Sequence, residues 1–160
     1  MRSWWIAGLV LLSIPAFAAA SLDIDSVAGL YTDAPSNKET DSGKANNVLE
    51  VVKLSPTTAY VRTHLEVRTA ICSYWGVMRT DGDTLAGKDA NNPKCELRLH
   101  FSGGKVTFED EGYRCRQTSC GATGAFGYAE FSAKSRRPIT YMKRLLASRQ
   151  YREAMQGRGN

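Results

Sequence analysis

Ala59-Tyr60-Val61-Arg62-Thr63-His64-Leu65-Glu66 alternates small or apolar side chains with larger polar ones. A period of two sets Ala59, Val61, Thr63 and Leu65 on one face of an extended strand, and Tyr60, Arg62, His64 and Glu66 on the other. That is the signature of a half-buried strand. Cys95 to Phe101 repeats the pattern: Cys95, Leu97, Leu99 and Phe101 point inward, while Glu96, Arg98 and His100 point out. Between and around these segments run further short apolar stretches, Val27 to Thr32, Val48 to Leu54, Ile71 to Met78, Thr84 to Ala86, Val106 to Glu109 and Tyr113 to Arg116. Gly76 marks a bulge in the third of them.

Turn chemistry separates the runs. Ser55-Pro56-Thr57, Asp81-Gly82-Asp83, Ser102-Gly103-Gly104 and Asp110-Glu111-Gly112 each supply residues that tolerate tight backbone bends. Two longer polar stretches, Asp33 to Asn47 and Gly87 to Pro93, read as loops, the first a mobile one. About seven or eight strands at this spacing predict a mainly β fold, a small antiparallel barrel or a strongly curved sheet.

The period changes after Ser132. Ile139, Met142, Leu145 and Leu146 recur at helical spacing, and Pro138 suits a first helical turn. Ser148 either continues this helix or caps a second short one holding Tyr151 and Met155. Residues 135–157 therefore form a C-terminal amphipathic basic α-helix packed on a β domain of residues 21–134, with Lys and Arg on its wet face.

Residues 1–20 read as a cleavable leader. Arg2 precedes an apolar run from Trp4 to Leu12 with Ile14, and Ala16, Ala18, Ala19 and Ala20 offer cleavage after Ala18 or Ala20. The run is shorter than the ~20 residues that span a bilayer, and no later segment is long enough. A periplasmic or secreted protein with no transmembrane segment in its mature chain is the expectation.

Export gives the cysteines their meaning. Cys72, Cys95, Cys115 and Cys120 form an even set, read as two disulfides with three possible connectivities. Nearest-neighbour pairing, Cys72 with Cys95 and Cys115 with Cys120, is the expectation, since Cys115 and Cys120 flank a tight loop. The spacing does not fit the paired knuckles of a zinc site or a C-x-x-C redox motif, so no metal site is assigned. No cofactor is implied either.

Charge is divided along the chain. From residue 134 onward eight basic residues face one acidic residue; residues 21–133 carry twelve basic and fifteen acidic. The basic balance belongs to the C-terminal element, and an exported protein gives it no nucleic acid to meet. Arg136, Arg137, Lys143 and Arg144 are its candidate contacts to an anionic partner; the alternative is the solvated face of an amphipathic helix.

Catalytic motifs are absent from the sequence. His64 and His100 lie on outward faces of different strands, and no G-x-S-x-G, H-E-x-x-H or phosphate loop occurs. The stretch Cys115 to Phe131 is the most distinctive. Gln117, Thr118, Ser119, Gly121, Ala122, Thr123 and Gly124 form a candidate partner-binding loop, rigid and inserted into a partner's cleft. The competing reading is an irregular crossover whose Phe126 and Phe131 plug the core.

Cys115-x-x-x-x-Cys120-Gly121-x-x-Gly124, with Phe131, Arg136-Arg137-x-Ile139 and Leu146-x-Ser148-x-x-Tyr151-x-x-Ala154, resembles small uncharacterised exported proteins of Gram-negative bacteria. That resemblance implies a periplasmic location and transfers no site residues. More distantly, Gly29-x-Tyr31 with antiparallel strands and a late helix is similar to the calycin, or lipocalin-like, barrel, although Tyr31 stands where that family has Trp. Periplasmic lysozyme inhibitors are similar in being small disulfide-bearing β-barrels, but their inhibitory loop motif is not recognisable here.

The expected function is a non-enzymatic periplasmic binding protein whose partner is a protein, with a lysozyme-type cell-wall hydrolase as the specific version. The alternative is a lipocalin-like carrier of a small apolar or lipidic ligand, its cavity lined by Val61, Leu65, Leu97 and Leu99. An enzyme of unknown type is the third.

Overall fold

The computed structural model describes residues 21–32, 47–67 and 69–157. Residues 1–20, where a leader is expected, most of the first polar loop and the last three residues lie outside the described residues. Eight antiparallel strands follow one another as a meander: β1 Gly29–Thr32, β2 Val48–Ser55, β3 Thr58–Val67, β4 Ala70–Asp81, β5 Thr84–Lys88, β6 Glu96–Ser102, β7 Lys105–Glu109 and β8 Glu130–Ser132. The sheet curls into a nearly closed barrel. Its seam is drawn together by reciprocal backbone hydrogen bonds between Leu30 and Arg137, 2.8 and 2.9 Å long.

Alternation decides the two faces, as the strand sequences predict. Val61, Leu65, Leu97 and Leu99 are wholly buried inside, among Tyr31, Tyr74, Met78, Phe126 and Phe131. Large side chains therefore fill the barrel's middle. A short helix, α1 (Ile24–Val27), caps one end; Asp23 accepts the Asp25 N–H as its N-cap, and Ile24 and Val27 turn into the core. The Tyr31 hydroxyl anchors this helix by donating to the Val27 carbonyl at 2.7 Å, and burial pushes the phenol up to about 12. Four residues are too few to leave a helical period, so the reading from sequence begins its first run at Val27 and leaves α1 out.

The opposite end is closed by α2 (Arg114–Ser119). A strand was expected over Tyr113 to Arg116; the backbone instead turns left-handed at Gly112 and Tyr113 and enters a helix. Asp110 makes that turn a helix start, since its two carboxylate oxygens take the Cys115 and Arg116 N–H groups at 3.0 Å each. The eighth strand forms later, at Glu130–Ser132.

The disulfides join Cys72 to Cys120 and Cys95 to Cys115, so nearest-neighbour pairing is wrong. The sheet order supplies the reason. β5 lies between β4, which carries Cys72, and β6, which follows Cys95. Two strand spacings come to roughly 9.5 Å, beyond the ~7 Å that a disulfide bridges between Cα atoms. Cys115 lies in the first turn of α2 and Cys120 is its C-cap, so a five-residue offset along the helix points them to different sides. Each end of α2 is bonded to a different part of the barrel.

Gly76 forms no bulge against β3, because the ladder runs unbroken from Thr58–Arg79 to Val67–Ala70. Its role is close approach: a Cβ there would stand 2.3 Å from the Lys88 carbonyl oxygen. The irregularity of the sheet falls instead between Lys53 and Ser55 in β2.

After β8 the chain crosses the seam and forms α3 (Met142–Leu146) and α4 (Arg149–Gln156). The helical run begins at Met142 rather than Pro138. Ser148 accepts the Tyr151 N–H and opens a second helix, the two-helix alternative. Ile139, Leu145 and Ala154 pack on the outer faces of β1 to β4, against Leu30, Val52 and Tyr60, with Trp75 and Val77 at the edge. The Tyr60 ring meets Tyr151 edge-on at 5.0 Å. Lys143, Arg144, Arg149 and Arg152 are exposed, the wet face that the spacing predicts.

Candidate functional site

Two surfaces gather polar side chains, one at the stapled end and one beneath the C-terminal helices. At the stapled end the segment expected as a partner-binding loop is the end of α2 and the turn after it, with Gln117, Thr118, Gly121, Ala122 and Thr123 exposed. Gln117, Thr118 and Ser119 are the last residues of α2, and Gly121, Ala122 and Thr123 form the turn after it. Thr118 accepts from Asn92, Ser119 donates to Asp89 at 3.3 Å, and Thr123 meets Thr69 at 3.1 Å. Gly124 is buried, and a Cβ there would stand 2.7 Å from the Cys120 carbonyl oxygen. These contacts hold the segment down on the barrel rim.

What remains exposed surrounds a depression of about 480 Å³ lined by Tyr113, Arg116, Gln117, Gly121 and Ala122. Tyr113 is 64% exposed and sits in the left-handed region at φ 56°. Arg116 ties the rim together by donating to the Ala122 carbonyl at 3.1 Å. Ile71, near the start of β4, and Tyr128, on the segment between β7 and β8, are also largely exposed. Tyr113 and Arg116 were missed in the sequence because they read as a strand.

Asp89 anchors the loop beneath α2. It is 3% exposed, and burial raises its carboxyl above the ordinary value, partly offset by hydrogen bonds from the Asn91 and Asn92 backbones and the Ser119 hydroxyl.

The second surface lies on the outer face of β2 and β3. Glu50 is 1% exposed and opposes Arg62 in the ladder. The Arg62 guanidinium grips it with two hydrogen bonds, from Nε to Oε2 and from Nη2 to Oε1 at 2.7 Å. The Tyr141 hydroxyl donates to the same Oε1 at 2.5 Å. Tyr141's phenol is pushed up to about 12, by burial first and by its bond to Glu50 second. The carboxylate is thus satisfied on both oxygens, as a buried charge requires. Beside this cluster His64 Nδ1 and Ser73 Oγ stand 3.4 Å apart, and Trp75 Nε1 donates to Glu153 at 3.0 Å. Nothing in the sequence singles out Glu50, a lone carboxylate in an apolar strand; its partner emerges only from strand register.

The four basic candidates separate. Arg136 is turned back on α1 and its C-cap, its Nη1 donating at 3.2 Å to the carbonyls of both Asp25 and Ala28. Arg137 lies at the barrel seam through its backbone. Lys143 and Arg144 are on α3, and only Arg144 reaches the cleft under the helices, with its guanidinium 5.2 Å from the Tyr141 ring centre. His100 is distant from His64 in the ladder and pairs with Glu109 at 2.6 Å.

Two disulfides fit an extracellular or periplasmic protein. Among the described residues no helix is long and apolar enough to cross a membrane. The chain matches no protein-family model, no curated protein and no solved structure.

Proposed function

We propose that this chain is an exported, non-enzymatic binding protein that meets a protein partner through the stapled end of its barrel. A lysozyme-type cell-wall hydrolase is the partner this reading names. One observation carries it: α2 is bonded at its two ends to two different parts of the barrel. Tyr113, Arg116, Gln117, Gly121 and Ala122 are therefore held in place before any partner arrives. A preorganised surface loses little entropy on association, which is what an inhibitor needs.

Charge and leader support the same reading. Residues 21–133 lean acidic and complement a basic hydrolase. The Arg2, apolar and Ala-rich pattern of residues 1–20 supports periplasmic delivery. Glu50 is engaged by Arg62 and Tyr141 rather than by His64, which favours binding over a Ser-His-carboxylate reaction. A carrier role would need room where Tyr74, Phe126 and Phe131 are packed.

The test uses purified, oxidised protein against a panel of basic lysozymes, with affinity by calorimetry and lysis of wall suspensions as readouts. The expected result is binding that slows lysis. Gln117→Arg and Ala122→Arg should each weaken it by about tenfold or more without moving the melting temperature. If micromolar protein neither binds nor slows any lysozyme, the hydrolase version fails. If both variants bind as tightly as the parent, the contact is not at the stapled end.

A further inference from the structure

We infer that the cleft between β2–β4 and the C-terminal helices is a binding site for a small polar ligand carrying one oxyanion, a carboxylate or a phosphate. The site is separate from the stapled end and does not depend on what binds there.

The cleft measures about 440 Å³ and is lined by strand residues on one side and by Tyr141, Arg144 and Gln150 on the other. Its charges do not cancel. Glu50 brings the cluster's one buried carboxylate, and Arg62 neutralises it through Nε and Nη2. That grip leaves the Arg62 Nη1 group uninvolved with Glu50. Arg144 adds a second guanidinium, stacked on the Tyr141 ring and forming no salt bridge among the described residues. The nearby Glu153 is occupied by Trp75 Nε1 and Arg149. The excess is one positive charge on a planar, forked donor, the geometry that pairs with carboxylate or phosphate.

Arg144, Tyr141, Glu50 and Arg62 form one continuous chain of contacts, so the guanidinium on α3 rests on a buried, satisfied base. An arginine stacked on a fixed ring has less rotamer freedom to lose on binding than one in open water. His64, Ser73 and Gln150 on the same walls supply hydrogen-bonding groups for the rest of a polar ligand.

Calorimetry on the full oxidised chain tests this with four probes: glucuronate for a carboxylate source, glucose 6-phosphate for a phosphate ester, inorganic phosphate, and uncharged glucose. At least one anion is expected to bind in the millimolar range or tighter, with glucose silent and affinity falling as salt rises. Which anion binds identifies the source. Arg144→Gln should weaken binding by about tenfold, and Arg144→Lys by less, because it keeps the charge and loses the fork. Arg144 is exposed, so an unchanged melting temperature is expected in both variants. Equal binding of glucose, silence of all three anions, or an unaffected Arg144→Gln protein would overturn the inference. Gln117→Arg should leave anion binding intact, which separates this result from the fate of the hydrolase reading.

Discussion

Cys72 on β4 is bonded to Cys120 at the C-terminal end of α2, closing a sequence separation of 48 residues, whereas Cys95 and Cys115 close one of 20. The longer closure removes more freedom from the unfolded chain. On chain-entropy grounds the first bond contributes about 4 kcal/mol and the second about 3 kcal/mol. Replacing Cys72 and Cys120 together by Ser should therefore lower the denaturant midpoint more than replacing Cys95 and Cys115. Equal midpoints, or the reverse order, would contradict the entropic account. Peptide mapping under non-reducing conditions checks the pairing itself.

Glu50 and Arg62 illustrate a different balance. Removing Arg62 alone leaves a carboxylate that is 1% exposed with no cation beside it, and Arg62→Met should cost about 3–5 kcal/mol. Replacing both partners, with Glu50→Leu added, takes away the uncompensated charge and should recover most of that loss. A double-mutant cycle by urea unfolding measures it. Tyr141→Phe, which removes a neutral donor to the same carboxylate, should cost less, about 1–3 kcal/mol.

Tyr74 fills the barrel interior, wholly buried, and its hydroxyl has no hydrogen-bond partner among the described residues. Burial pushes its phenol up, and the nearby Asp89 and Glu96 carboxylates push the same way. Tyr74→Phe keeps the ring and removes the buried polar atom. The variant should be as stable as the parent or more so, by up to about 1–3 kcal/mol. A clear fall in melting temperature would mean that the hydroxyl has a partner.

Asp89 gives a pH dependence whose sign can be worked out. Its folded carboxyl lies above the ordinary value of 3.8, so in the window above 3.8 the folded chain holds a proton that the unfolded chain has released. Its contribution to stability therefore declines as pH rises through that window and is fully lost above the folded value. Asp89→Asn removes the titration and keeps an acceptor for the Asn91 N–H, which bonds Asp89 at 2.8 Å. The stability difference, variant minus parent, should grow from pH 3 upward and then level off. A constant difference across pH would refute the assignment.

Alkali acts on the tyrosines in the same direction. Burial pushes the Tyr31 and Tyr141 phenols up to about 12 in the folded chain, from 10.0 in the open chain. Between those values the unfolded state loses its phenol protons first, so stability should fall as pH rises from 10 to 12. Phenolate absorbance that appears together with unfolding, rather than ahead of it, is the expected observation.

Much of the fold was legible locally. The period of two over Ala59 to Glu66 and Cys95 to Phe101 predicts which side chains fill the barrel, and Val61, Leu65, Leu97 and Leu99 are wholly buried. The turn residues at 55–57, 81–83 and 102–104 locate three strand connections. The candidate surfaces were less legible. Tyr113 to Arg116 looks like a strand because four residues with one aromatic carry too short a pattern to separate strand from helix. The two Asp110 hydrogen bonds that make it a helix start are visible only in space.

By itself the sequence determined most of the strands, the apolar faces of Ala59–Glu66 and Cys95–Phe101, and that the chain carries an even set of four cysteines. These follow from side-chain alternation, backbone preference and composition, all of them properties of neighbours along the chain. The tertiary structure alone decided that Cys72 meets Cys120, that Glu50 meets Arg62 and Tyr141, and that Arg144 overlooks their cleft. Those contacts depend on the order of strands around the barrel and on where a late helix lands against it. Distances across a curved sheet are set by closure of the whole barrel, and no local pattern encodes them.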